Sequence, residues 1–211
     1  KEKFGVDSLA GLRVAVQGLG NVGSNLVDFL VQDGAVVSIA DIDVDRVAAT
    51  SNKHGGLKVV DPNEIITSEC DVLAPCALGA VINDKTVPKL RCKVIAGAAN
   101  NQLAEASHGD ALRELGILYA PDFVANAGGL MNVFVELEGY SSERAFDKTK
   151  VVYDNVLNIF KLAKEQNIST HAAANLLAEK RIKQIGELRQ HQQGRMARPY
   201  TTLKEMTLRR S

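Results

Sequence analysis

The sequence predicts an α/β fold, a doubly wound, mostly parallel sheet with a C-terminal helical appendage. Three observations predict it. Short β-branched runs alternate with helical stretches over the first 120 residues, the pattern of parallel strands covered by helices. The run Val14–Val16 leads straight into Gly18, Gly20 and Gly23, a G-x-G-x-x-G turn set between a strand and a helix. After Ala120 no strand pattern recurs, and two long helices with apolar periodicity follow.

The glycine turn has a specific chemistry. Gly18 allows the tight turn off the strand, Gly20 lets the backbone approach a pyrophosphate, and Gly23 lets the new helix pack closely on its strand. The helix runs on through Asn21, Val22, Leu26, Val27 and Leu30, and its free N–H groups and positive dipole end favour phosphate oxygens. Ala35–Ala40 is a second strand ending in Asp41 and Ile42, with the acid eighteen positions after Gly23. A carboxylate there accepts hydrogen bonds from a ribose 2′-hydroxyl and repels a 2′-phosphate, so a Rossmann-type site preferring NAD over NADP is expected. Capping of the next helix is the alternative role for Asp41, and Asp43 can fill it equally well.

Further elements follow in order. Val44–Asn52 reads as a helix closed by Gly55 and Gly56, Leu57–Val60 as a short strand, and Pro62 opens a helical turn through Ile65 and Ile66. Asp71–Ala74 and Lys93–Ala96 are strands, Leu103–Leu115 a helix stopped by Gly116, and Ile117–Ala120 the last core strand. Leu130–Leu137 leads to a break at Gly139; Glu143–Gln166 is a long helix, and Ser169 or Thr170 caps another over about Ala172–Gln190. The lead-in carries Phe4 and Leu9, two apolar residues in want of a partner.

Bulk composition narrows the classes. The 211 residues carry 25 basic and 25 acidic side chains, a formal net charge of +0, so no global field points to nucleic acid or membrane. No apolar run is long enough to span a bilayer. Cys70, Cys76 and Cys92 are odd in number and lack C-x-x-C spacing; no metal site or disulfide is expected, and a cytoplasmic location fits. The basic stretch beyond Lys180 reads as a solvated tail or an arm against a neighbouring domain. His54, His108, His171 and His191 form no ligand pattern and read as surface residues.

Three loops follow successive strands: PCALG at 75–79, GAANN at 97–101 and PDFVANAGG at 121–129. In an open parallel sheet, ligands sit outside the carboxyl ends of the strands. These loops join small residues to Asn100, Asn101 and Asn126, whose amides both donate and accept, as a nicotinamide carboxamide or a zwitterionic substrate requires. Cys76 as a nucleophile is the lesser reading, since no histidine lies near it in sequence; small-residue packing is favoured.

Together, the strings FGVDSLAG, VQGLGNVG, APCALGAVIND, KVIAGAANNQL and APDFVANAGG resemble the amino acid dehydrogenases acting on glutamate, leucine, phenylalanine and valine, the leucine branch above the others. The resemblance covers nearly the whole chain. It implies reversible NAD-linked oxidative deamination of an L-amino acid to a 2-oxo acid and ammonia, here a branched-chain, leucine-like substrate, by a homo-oligomeric enzyme. It further implies cofactor contacts at Gly18, Gly20, Asn21, Val22, Gly23, Asp41, Ile42, Cys76, Ala77, Ala98, Asn100 and Asn126, and a substrate pocket at Asn126, Leu130 and Val133.

The family's substrate-binding and proton-shuttling residues lie in an N-terminal domain that no segment here matches. Residues 1–11 therefore read as the stub of that domain, 12–135 as the NAD-binding domain, and 136–211 as hinge-crossing helices with a basic tail. No catalytic residue is assigned within this chain, which is expected to bind NAD without turnover. Two alternatives stand beside this reading. One is a glutamate or phenylalanine enzyme, although LMNV at 130–133 offers no cation for a γ-carboxylate. The other is a non-catalytic nucleotide sensor, which shares the glycine turn and strand-end acid but has no need of the NAGG loop.

Overall fold

The computed structural model describes residues 1–129, 131 and 142–196. Six strands form one all-parallel sheet: β1 (Arg13–Gln17), β2 (Val36–Ala40), β3 (Lys58–Val59), β4 (Val72–Pro75), β5 (Val94–Ile95) and β6 (Leu118–Tyr119). Their spatial order is β3-β2-β1-β4-β5-β6. The chain starts at the centre, winds outward to β3, and returns to build the other half. The order reverses between β1 and β4, which creates a crevice at their carboxyl ends.

Residues on β1 and β4 alternate between two cores, as period-two side chains must. Ala15 and Leu73 join Ile65, Ile82, Ile95, Leu112 and Tyr119. Val14, Val16, Val72 and Ala74 join Val27, Leu30, Val37 and Ile39 in the other core. Burial on both faces explains why these strands read as continuous apolar runs. Phe4 and Leu9 of the lead-in find their partner there, packing against the second core.

The helices are α1 (Asn21–Gln32), α2 (Val44–Lys53), α3 (Ser107–Glu114), a single turn α4 (Asp122–Ala125), α5 (Ser142–Gln166) and α6 (Thr170–Met196). The helical turn expected after Pro62 is a 3-10 turn at Ile65–Thr67, and a second 3-10 turn follows at Val87–Lys89. Asp43 caps α2, accepting from the N–H groups of Asp45 and Arg46. Ser169 lies ahead of α6, its hydroxyl accepting from the Ala172 N–H at 3.3 Å.

The helix expected from Leu103 begins only at Ser107. Leu103 is held extended in a parallel bridge with Ile82. The Ile82 N–H donates to the Gln102 carbonyl and the Ala104 N–H to the Ile82 carbonyl. A tertiary ladder thus overrides local helical periodicity. The final helix runs six residues past its expected end at Gln190. The break expected at Gly139 lies outside the described residues.

Two compact units divide the chain, Lys1–Ala174 and Asn175–Ser211. Among the described residues no helix is long and apolar enough to cross a membrane.

Candidate functional site

The site begins where β1 ends. Gly18 has a φ of 93°, in the left-handed region that favours glycine. A Cβ on it would lie 2.7 Å from the Ala77 Cβ. At Gly23 a Cβ would stand 1.9 Å from the Gly18 carbonyl oxygen and 3.3 Å from the Cys76 Cβ. Gly20 is different, because a Cβ there would meet nothing within 4 Å. Two glycines of the turn serve close packing, and the middle one faces open space.

The start of α1 carries no anion of its own. Gly20 at its N-cap offers no side-chain hydrogen bond, and no acidic residue stands in the first turn. By contrast, α2 has both Asp43 at its cap and Asp45 in its first turn. An uncapped N-terminus leaves backbone donors and positive dipole unsatisfied. Asn21 and Val22 at this start are both exposed.

Asp41 closes the adjacent side. Its Oδ2 accepts the Leu19 N–H at 2.5 Å and its Oδ1 the Asp43 N–H at 2.9 Å. Burial pushes its carboxyl up, but the N–H groups of Leu19 and Asp43, with nearby Arg46, outweigh burial and hold it below the ordinary carboxylate value. Asp41 is therefore a fixed anion beside the glycine turn, and helix capping falls to Asp43. Ile42 beyond it is 90% exposed.

On the other side of the crevice, the three small-residue loops interlock. The Cys76 N–H donates to the Gln17 carbonyl at 2.7 Å, and the Ala99 N–H donates to the Pro75 carbonyl at 2.9 Å. Burial pushes the Cys76 thiol up, which disfavours the reactive thiolate and agrees with a packing role. The Asn126 Nδ2 donates to the Asn100 Oδ1 at 2.5 Å. A continuous series of contacts thus runs from Asp41 through the glycine turn, the 75–79 loop and the 97–101 loop to Asn126, crossing the sheet in strand order. Leu130 and Val133 lie outside the described residues.

A matching family model covers residues 1–190 of the chain, the Glutamate/Leucine/Phenylalanine/Valine dehydrogenases. The chain belongs to this family. It is similar to the leucine dehydrogenase of Geobacillus stearothermophilus, 51% identical over 189 residues covering 90% of this chain and 51% of that enzyme. It is 46% identical to the phenylalanine dehydrogenase of Thermoactinomyces intermedius over 88% of this chain and 51% of that one. The crystal structure of L-tryptophan dehydrogenase from Nostoc punctiforme superposes with a TM-score of 0.83 at 45% identity, covering 87% of this chain and 56% of that one. The chain therefore spans about half the length of the curated relatives it matches.

Several residues that shape this dehydrogenase crevice carry little sequence signal. Leu19 reaches Asp41 through its backbone N–H. Gln102, fully buried, staples the 97–101 loop by donating to the carbonyls of Gly97 and Ala99 at 2.8 and 3.0 Å. Asp122 accepts from the Asn101 N–H at 2.5 Å and the Tyr119 hydroxyl at 2.7 Å. A lone acid after Pro121 was its only trace in the sequence.

His54, His108 and His171 depart from their expected surface positions, and the side chain of His191 lies outside the described residues. His108 is buried, its Nδ1 accepting the Glu105 N–H at 3.0 Å and its Nε2 3.0 Å from Asp84. His54 is half-buried on Asp28, and His171 packs edge-on against the Phe123 ring. Among the described residues no group of three or more His, Cys, Asp or Glu could hold a metal. A groove of about 670 Å³ beside Tyr119, Leu157 and Phe160 involves none of the crevice residues.

Proposed function

We propose that this chain holds NAD and serves an amino acid dehydrogenase acting on a branched-chain, leucine-like L-amino acid. The observation that carries the cofactor reading is Asp41, a fixed carboxylate beside an open, uncapped helix start. The residues fit the group: Gly20 and the first N–H groups of α1, at Asn21, Val22 and Gly23, would take the pyrophosphate. Asp41 would accept the adenosine ribose hydroxyls, with exposed Ile42 beside it, and its charge disfavours a 2′-phosphate. Cys76, Ala77 and Ala98 would line the middle of the crevice, and Asn100 and Asn126 would meet the carboxamide end. Held there, NAD would supply a hydride acceptor for oxidation of the amine.

This chain's own residues bind and orient. Asn126 faces Asn100 and can share its amide with a substrate, while Leu130 and Val133 are proposed for the side-chain pocket. The 75–79, 97–101 and 121–129 loops contain no lysine or arginine to hold a substrate carboxylate. We therefore propose that residues 12–135 form the NAD domain and that catalytic residues lie elsewhere in the enzyme. Three free thiols support a reducing, cytoplasmic setting.

The test is a titration of the purified chain with NADH and NADPH, followed by an assay for leucine-dependent NADH formation. Preference for NADH without turnover is the expected result. Turnover by this chain would overturn the placement of catalysis outside it, and a preference for NADPH would overturn the role of Asp41. A phenylalanine or tryptophan substrate is the second reading, supported by the similarity to those dehydrogenases.

A further inference from the structure

We infer that Asp122 is a positioning residue that sets the Asn100–Asn126 amide pair against the nicotinamide half of the cofactor. The inference rests on the cofactor reading above.

Asp122 is 6% exposed, and no Lys or Arg pairs with it among the described residues. A buried carboxylate of this kind must be stabilised by hydrogen-bond donors. The donors here are the Asn101 N–H and the Tyr119 hydroxyl, the latter on a ring that is 1% exposed. The Tyr119 hydroxyl in turn accepts the Asp122 N–H at 3.2 Å. Asp122 is thereby anchored to the core through β6.

What it holds is the turn that presents Asn100. Asn101 adopts φ 51°, a conformation that asparagine tolerates better than most residues. Its N–H goes to Asp122 and its carbonyl accepts the Ala80 N–H at 2.6 Å. One residue therefore joins the loops after β4, β5 and β6. Through its own backbone, Asp122 also accepts the Asn126 N–H at 2.9 Å. Its side chain fixes the loop bearing Asn100 and its main chain fixes the turn bearing Asn126. These are the two asparagines whose amides meet at 2.5 Å. A precise amide pair needs support of this kind, because loops alone position side chains loosely.

The adenosine half is held at the other end of the crevice by Asp41 and the glycine turn, which Asp122 does not touch. A positioning role therefore affects the two halves of NADH unequally, whereas a merely structural role affects both. Calorimetric titration of the whole chain with NADH and with ADP-ribose, which lacks nicotinamide, separates them. The wild-type chain is expected to bind NADH more tightly than ADP-ribose and to shift the emission of bound nicotinamide. Asp122→Ala should weaken NADH by about tenfold and lose the emission shift, while ADP-ribose affinity stays unchanged. Asp122→Asn keeps an oxygen acceptor for the Asn101 N–H and should restore most of the NADH affinity. If the alanine variant does not fold, Asp122→Glu, which displaces the carboxylate by one methylene, should show the same selective loss.

Equal losses for NADH and ADP-ribose, or no loss for either, would overturn the positioning role. Equal affinity of the wild type for both ligands would overturn it as well. A wild-type chain that binds neither would overturn the cofactor reading itself, and this inference with it.

Discussion

The two ends of the parallel sheet are built from different chemistry. At the amino end, charged side chains sew the strands together. Arg13 opens β1 and donates through Nε to Asp71 at 3.1 Å, while Lys93 reaches the same carboxylate at 3.2 Å. The Asp71 N–H donates to the Arg13 carbonyl, and Lys93 Nζ sits 5.7 Å from the centre of the Phe4 ring. At the carboxyl end the strands are joined by glycines, amides and backbone, with Asp41 and Asp122 as acids bound by N–H and O–H donors. On the proposed cofactor reading, ion pairs at that end would occupy the positions a dinucleotide needs.

Breaking the carboxyl end should have the largest effect. Gly23→Ala would set a methyl group 1.9 Å from the Gly18 carbonyl. The backbone must shift, at about 3 kcal/mol or more of stability, and NADH affinity should fall by about 100-fold or more. Calorimetric titration alongside thermal melting checks both.

Next comes the amino end. Asp71 is buried, and the hydrogen-bonded Arg13 guanidinium holds its carboxyl down at about 2 against an ordinary 3.8. Asp71→Asn should cost about 2 kcal/mol and leave NADH affinity unchanged. The sign of the pH dependence follows from the lowered value. The contribution of Asp71 is fully present above pH 3.8 and is lost as pH falls toward about 2. Melting temperature against pH should show this slope in the wild type, and the asparagine variant should lose it.

Asp41→Ser sharpens the comparison from the other side. Removing the anion should lower NADH affinity by about tenfold and narrow the NADH-to-NADPH preference, with little change in melting. The smallest effect is expected at Glu69, whose 2.8 Å pair with Arg13 is exposed. Glu69→Gln should leave stability nearly unchanged, with any loss masked by salt, read by denaturant unfolding at two ionic strengths.

The same contrast explains what was legible in the sequence. The glycine turn, the strand-end acid and the three small-residue loops were readable because their chemistry depends on residue type at fixed local spacing. The apolar runs of β1 and β4 were readable for the same reason. The late start of α3 was not, since Leu103 is set by a bridge to Ile82, a tertiary contact with no local mark. Burial of His108 was equally hidden, because its partners are a backbone N–H and Asp84. Asp122 and Gln102 hold backbone groups and Leu19 acts on Asp41 through its own N–H, and backbone partners leave no residue pattern to read.

The open helix start beside Asp41 is proposed as an NAD site and not a general nucleotide site. Calorimetric titration of the chain with NADH and with ATP tests it most directly. NADH should bind and ATP should compete poorly, because ATP has no nicotinamide to reach Asn100 and Asn126. A clear preference for ATP over NADH would contradict it.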